Sequence, residues 1–389
     1  MAVETMTNRS TKKFYFADNT CERRSLDAER LYEYFGKNSF ESSEQAEDAD
    51  LIFFFSCGML EVDSNERIKE FVDLYGDSEK KIVVFGCYSK MVSKRENFDN
   101  IHYIPLNNPD AINEILSAEV SYSDVNYPST VSLIQKDKVD FNSWDPRIDL
   151  ALRTDVYSVR VSQGCSQGCS FCSIRLATGR LRSETKESIR ENIEAGIAKG
   201  YKIFRIQTEN FGEWGQDIGE NLGTLLNELE KIEEDFYIDL PDLYPTAFIN
   251  CFDDIVSFVQ KKSVYYIHLP VQSANQRVLK LMNRIYDVDQ MSEKLEFFQK
   301  CFPEIRIGAD IIAGFPSETN EEFLESWRFL EKHKFEWVYL HGFNAKEKTK
   351  AMKLEPKIPE AIINKRVMYV YNRIPNVYCF LNNYRPVKS

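Results

Sequence analysis

Long hydrophobic runs are missing from this 389-residue sequence. The longest, around Leu51 to Phe55, falls far short of the roughly 18 to 20 apolar residues that span a bilayer. No membrane-crossing helix is therefore expected. The opening stretch, Met1 to Lys13, is polar and has no apolar h-region; no secretory signal is expected, and the chain is placed in the cytoplasm. Low-complexity tracts and internal repeats beyond a strand–helix alternation are also missing. An even cysteine count is the last absence that matters. Nine cysteines do not complete a disulfide framework, and a reducing compartment disfavours disulfides in any case. Metal or cluster ligation is the reading they leave.

Apolar residues make up 43% and charged residues 28%, the balance of a soluble globular chain, and the length suits two or three domains. The net charge of −12 opposes broad contact with phosphate backbones. That charge is unevenly spread. Residues 346–389 carry ten Lys or Arg against three Glu, so the tail is +7 and the remainder −19. A basic tail on an acidic body suits RNA or an acidic peptide, and equally a solvated surface helix.

Strand and helix signals alternate, which predicts an α/β chain. Over residues 1–122, strands at 13–17, 51–55, 82–85 and 102–105 alternate with helices over 24–35, 64–75 and 110–118. Solidly apolar strands in that order predict a parallel sheet covered on both faces, a flavodoxin-like domain. Residues 123–150, rich in Ser, Asp, Asn and Tyr with Pro128 and Pro146, read as a linker. Over 151–345 the alternation resumes, with strands at 156–161, 202–206, 236–240, 264–269, 306–312 and 337–340. Helical patterns cover 186–199, 222–233, 252–260, 290–300 and 321–333. Six units are too few to close an eight-fold barrel, so a partial (β/α)6 barrel is expected, with its site at the carboxyl strand ends. Residues 346–389 read as a basic helical tail.

Directly after the first barrel strand stands Val161-Ser-Gln-Gly-Cys165-Ser-Gln-Gly-Cys169-Ser-Phe-Cys172. This C-x3-C-x2-C spacing sets three thiolates around one compact centre, and Gly164 and Gly168 permit the tight loop it demands. Four thiolates saturate a four-iron cluster; three leave one iron open to bind and reduce a cofactor. A structural zinc site and three unrelated core cysteines are the competing readings. Zinc sites usually carry four ligands in two pairs, and no second pair follows. The spacing, with Phe171 before the last cysteine and a partial barrel behind it, resembles the radical S-adenosylmethionine (SAM) superfamily. That resemblance implies an open iron that chelates the amino and carboxylate groups of SAM. Reduction then cleaves SAM to a 5′-deoxyadenosyl radical, which abstracts hydrogen from a C–H bond. It also implies a cofactor held along the carboxyl edge of the barrel. By position Phe171 is expected beside the adenine, with Arg182, Glu209, Gln272 and Asp310 as polar contacts; an ordinary loop or capping role competes at each. His268 reads as a packing or hydrogen-bonding residue at the barrel end. Cys251, Cys301 and Cys379 read as small hydrophobes, and the tail aromatics Tyr369, Tyr371, Tyr378, Phe380 and Tyr384 as packing on the barrel.

Three further cysteines, Cys21, Cys57 and Cys87, each follow a predicted strand of the first domain. Ligand sites in open parallel sheets lie outside the carboxyl strand ends, so these thiols can converge; chance burial is the competing reading. An α/β domain with three dispersed cysteines ahead of a radical SAM barrel is similar to the methylthiotransferases that modify tRNA adenosines or a ribosomal-protein aspartate. Further matches are His268-Leu-Pro-Val-Gln-Ser273, Arg277-Val-Leu-Lys-Leu-Met-Asn-Arg284, Ile307-Gly-Ala-Asp-Ile-Ile-Ala-Gly-Phe-Pro-Ser-Glu-Thr319 and Ile358-Pro-Glu360. The likeness runs from residue 12 to residue 375. It implies a second [4Fe–4S] cluster at Cys21, Cys57 and Cys87, whose open iron carries the sulfur to be methylated and delivered. One SAM would give the methyl group and another the radical. A low-potential electron donor such as flavodoxin or ferredoxin and a sulfur source are implied as well.

The sequence departs from the family at Thr20, at Phe55-Ser56 and at Arg175. The family's C-terminal TRAM domain finds no counterpart in the 45 residues after Asn344. The expected reaction is insertion of a methylthio group at a C–H bond, favouring a peptide or protein side chain as acceptor. Methylthiolation of a tRNA adenosine at C2, with the basic tail replacing the lost module, is the first alternative. Another two-cluster radical reaction and a non-catalytic iron–sulfur scaffold are the others.

Overall fold

The computed structural model describes residues 11–18, 24–56, 61–93, 95–130 and 153–381. The chain divides into two compact units, Met1–Pro128 and Ser129–Ser389.

The first unit runs β1 (Lys12–Asp18), α1 (Ser25–Lys37), β2 (Phe40–Ser42), β3 (Leu51–Ser56), α2 (Glu61–Tyr75), β4 (Lys81–Gly86), α3 (Tyr88–Met91), β5 (Ile101–Ile104) and α4 (Ala111–Leu116). Its strands lie parallel in the order β2-β1-β3-β4-β5, which is the flavodoxin-like winding. Every residue of β3 is buried, as a strand covered on both faces requires. Phe14, Phe35, Phe53 and Phe85 belong to one core cluster. Phe35 and Phe53 meet edge to face at 5.5 Å, an arrangement aromatic quadrupoles favour. The short β2 and α3 lie outside the pattern the sequence predicts. Residues 123–128, the start of the expected linker, lie in this compact unit. The Arg30 guanidinium lies over the rings of Tyr122 and Tyr127, and its Nε donates to the Val125 carbonyl at 2.5 Å. Of the expected linker, residues 131–150 fall outside the described residues.

The second unit continues with β6 (Val156–Arg160), β7 (Ser162–Gln163), α5 (Ile174–Thr178), β8 (Arg182–Ser183), α6 (Lys186–Ala198), β9 (Ile203–Gln207), α7 (Leu222–Leu229), β10 (Tyr237–Leu240), α8 (Pro245–Asn250) and α9 (Phe252–Lys261). Next come β11 (Ser263–Gln272), α10 (Gln276–Leu281), α11 (Val288–Cys301), β12 (Arg306–Ala313), α12 (Asn320–His333), β13 (Trp337–Gly342), α13 (Glu360–Tyr371) and β14 (Val377–Phe380). Seven parallel strands form an open sheet in the order β14-β13-β12-β11-β10-β9-β6. The six predicted barrel strands are all there. The tail corrects the expectation of a helix alone, because β14 pairs with β13 from Val338↔Val377 to His341↔Phe380.

Side chains alternate between the two faces of this sheet. Val159, Phe204, Ile206, Leu240, Ile267 and Val338 enter one large core with the helices. The opposite set, Val156, Tyr266, Trp337 and Tyr339, forms a separate cluster. Trp337 fills this second face so closely that a Cβ on Gly308 would lie 1.9 Å from its ring. The tail aromatics pack as expected where they are described: Tyr378 stacks on Tyr339 at 5.4 Å and Tyr369 meets Trp327 at 5.3 Å. Tyr384 and the Phe380 side chain lie outside the described residues. Cys379 is buried in β14, Cys251 is half-buried between α8 and α9, and Cys301 is exposed at the end of α11.

Candidate active site

The loop from Gly164 to Leu181 leaves the sheet through β7 and returns through β8, an antiparallel pair joined at Ser162↔Ser183 and Gln163↔Arg182. Gly164 stands at φ +84°, and a Cβ there would sit 2.2 Å from the Arg180 carbonyl oxygen. Only glycine fits. The Cys165 amide donates to the Gly179 carbonyl at 3.3 Å. From the other side, residues at the end of α10 hold the loop. The Ser170 amide donates to the Met282 carbonyl at 2.9 Å, its hydroxyl to the Leu281 carbonyl at 2.8 Å, and Asn283 Nδ2 to the Gly168 carbonyl at 2.9 Å. The Ala351 amide donates to the Ser170 carbonyl at 2.8 Å. Cys165, Cys169 and Cys172 are thus half-buried cysteines outside any disulfide, on a backbone fixed from three directions.

Charged groups of opposite sign approach two of the thiols. Glu213, 1% exposed, accepts from Cys165 Sγ and from the Ser166 amide, both at 3.0 Å. Burial pushes the Cys165 thiol up, and the Glu213 carboxylate adds to that. Arg284 Nη1 lies 3.7 Å from Cys169 Sγ, and the Tyr244 hydroxyl lies 3.8 Å from the same sulfur. The guanidinium stacks on the Tyr244 ring at 4.0 Å.

Beside this loop, the sheet carries a polar row. His268 is fully buried; its Nδ1 lies 3.4 Å from Asp242 Oδ1 and its Nε2 3.2 Å from Asp310 Oδ1, with His341 Nε2 3.8 Å from the same Asp310 oxygen. The two carboxylates face opposite nitrogens of one ring. That bracketing fixes the imidazole; the same three side chains also place one ligand atom each within 4.8 Å of one another. Burial works to raise the Asp310 carboxyl, but His268 outweighs it and holds the group well below its usual range.

In the first unit, Cys87 follows the end of β4. Its amide donates to the Ser56 carbonyl at 3.2 Å, and Gly86 before it takes φ +126° against that same carbonyl. β1, β3 and β4 are neighbours in the sheet, so the segments leaving their carboxyl ends start side by side. Cys21 and Cys57 lie in those segments but outside the described residues.

Residues 159–330 match the radical SAM superfamily, and residues 13–103 match uncharacterized protein family UPF0004. The chain is 28% identical to a probable threonylcarbamoyladenosine tRNA methylthiotransferase of Pyrococcus horikoshii, over 91% of this chain and 82% of that protein. It is 27% identical to the ribosomal protein uS12 methylthiotransferase RimO of Thermodesulfovibrio yellowstonii, over 93% and 81%. The chain thus carries a radical SAM domain and is similar over nine-tenths of its length to methylthiotransferases. Among solved structures, the radical SAM methyltransferase TsrM from Kitasatospora setae covers 85% of the chain at 12% identity and a TM-score of 0.57, with 73% of its own length matched. That likeness concerns the fold.

Methylthiotransferases of this family use SAM and two [4Fe–4S] clusters. The donor set of the barrel loop fits such a cluster. Three soft thiols stand in one loop, and neither a fourth cysteine nor a histidine occurs between residues 161 and 182, which leaves one iron open. Cys165, Cys169 and Cys172 would hold the cluster there, which would supply the electron that cleaves SAM.

The predicted SAM contacts separate into three groups. Phe171 is half-buried against Val278, Met282, Ile312 and Phe315, directly before Cys172. Glu209 is at the cysteine loop, where its Oε2 accepts from the Gly164 amide at 2.5 Å. Gln272 and Asp310 both stand on the sheet: Gln272 is buried at the end of β11 with φ +73°, and Asp310 is held by the two histidines. Arg182 stands apart, exposed on β8 and donating to Gln163 Oε1 at 3.3 Å. Glu213, Tyr244 and Arg284 went unpredicted. Arg284 closes a quoted motif, but nothing in its spacing ties it to Cys169, 115 positions earlier.

Proposed function

We propose that this methylthiotransferase replaces the hydrogen of a C–H bond with a methylthio group, favouring a peptide or protein side chain. Cys165, Cys169 and Cys172 hold the cluster that cleaves SAM; Cys21, Cys57 and Cys87 hold the cluster that carries sulfur. The observation that carries this reading is the pairing of a three-thiol barrel loop with a sheet whose neighbouring strands β1, β3 and β4 each lead into a cysteine segment. A protein acceptor is supported by the net charge of −12, which opposes a long polyanion.

A tRNA adenosine is the second reading. The exposed Lys348, Lys350 and Lys353 favour it, because the Ala351 amide between them bonds to Ser170 of the cysteine loop. Mass spectrometry of tRNA nucleosides and of proteolysed proteins, from cells with and without this chain, separates the two. A methylthio group on a peptide that disappears with the gene supports the first reading. The same change on a nucleoside alone supports the second.

A further inference from the structure

Arg284 is 4% exposed, yet no carboxylate pairs with it among the described residues. Nη2 donates to the Pro270 carbonyl at 2.5 Å, Nη1 points to Cys169 Sγ at 3.7 Å, and Nε has no hydrogen-bond partner among the described residues. Beneath it lies the Tyr244 ring, whose hydroxyl stands 3.8 Å from the same sulfur. The neighbouring Tyr286 does not serve as a counter-ion, because its hydroxyl donates to the Val271 carbonyl at 2.6 Å. A guanidinium stays charged in proteins, and a buried, unpaired charge is costly. The one site beside it that becomes anionic on loading with iron is Cys169.

We propose that Arg284 is a positioning residue that raises the reduction potential of the barrel cluster, with Tyr244 as its support. The proposal rests on the reading that Cys165, Cys169 and Cys172 ligate that cluster. Three thiolates on a [4Fe–4S]2+ core carry a net charge of −1. One electron from a low-potential one-electron donor makes it −2, with no bond broken in the protein. A fixed positive charge at a ligating sulfur favours the more negative state, and charge and hydrogen bonds at the sulfurs are recognised determinants of cluster potential. Glu213 at Cys165 acts in the opposite sense, so the two edges of the cluster are set unequally.

The test is a dithionite titration of the barrel cluster followed by electron paramagnetic resonance. It uses full-length protein in which Cys21, Cys57 and Cys87 are changed to Ala, so that one cluster remains. Arg284→Gln should keep its iron, and the reduced-to-oxidised ratio at a fixed potential should fall roughly tenfold, a shift of about 59 mV to more negative values for one electron. Arg284→Lys, which keeps the charge, should recover most of that shift. An unchanged midpoint in the glutamine variant would overturn the proposal. So would a lysine variant shifted as far as the glutamine one, since packing would then be the cause. Should the glutamine variant lose its iron, Tyr244→Phe decides, with a smaller negative shift expected and no shift overturning the proposal. Failure of the underlying cluster reading looks different, because the unsubstituted loop would then bind no iron at all.

Discussion

At the scale of single residues, the cysteine loop depends on one backbone conformation as much as on its thiols. Gly164 combines a left-handed φ with a carbonyl where a Cβ would go. Strain of that kind costs on the order of 1–3 kcal/mol before the clash is counted. Gly164→Ala is expected to lose the barrel cluster and keep the other, so iron per chain after anaerobic reconstitution should fall to about half. Full iron content would show that the loop tolerates a side chain. The barrel cysteines were legible because one short loop carries all three thiols at a fixed spacing. Glu213, Tyr244 and Arg284 were not, because their positions beside the sulfurs arise only when β9, α8 and α10 are brought to the same end of the sheet. Arg182 shows the converse: it was placed by its position after the triplet, yet its side chain turns along the hairpin to Gln163.

Among the elements, the tail helix α13 is the one whose role the sequence concealed. Ile363 packs so tightly over Gly314 that a Cβ on the glycine would be 2.4 Å from its Cγ1. Arg366 donates to Glu318 Oε2 at 2.9 Å and to the Glu318 backbone carbonyl at 3.0 Å. α13 thereby fixes the turn after β12, where Glu318 Oε2 also accepts from the Gly314 amide at 2.6 Å. Burial pushes the Glu318 carboxyl up to about 7, against the pull of Gly314 and Arg366. A carboxyl raised above its unfolded value binds more protons when folded, so stability falls as pH rises from the unfolded pKa, roughly 4, to about 7. Arg366→Met leaves that carboxylate unpaired and should cost about 3–5 kcal/mol at pH 8. The loss should be smaller at pH 6, where the buried group takes up a proton. Urea melts at the two pH values check this, and an equal loss at both would contradict it. The barrel strands were legible because unbroken apolar runs between helical patterns have few other readings. β14 was not: four residues, Val377–Phe380, in a basic tail carry too little pattern to separate a strand from coil.

For the molecule as a whole, two parallel sheets each lead cysteines from their carboxyl ends, and the methylthiotransferases that the chain resembles use two clusters. The division of labour between them is the central claim. The strand order of both sheets was legible in the sequence, whereas the stacking of Arg30 on Tyr122 and Tyr127 has no sequence signature. No described helix is long and apolar enough to cross a membrane. The uneven charge bears on the acceptor and leaves the chemistry untouched.

Anaerobically reconstituted Cys57→Ala protein, assayed for iron, 5′-deoxyadenosine and methylthio product in one experiment, tests the division of labour most directly. Two complete clusters correspond to about eight irons per chain. The variant should keep about half of that iron, still form 5′-deoxyadenosine with SAM and a strong reductant, and give no methylthio product. Full iron content, or loss of 5′-deoxyadenosine together with the product, would contradict the assignment of sulfur delivery to the first domain and radical formation to the barrel.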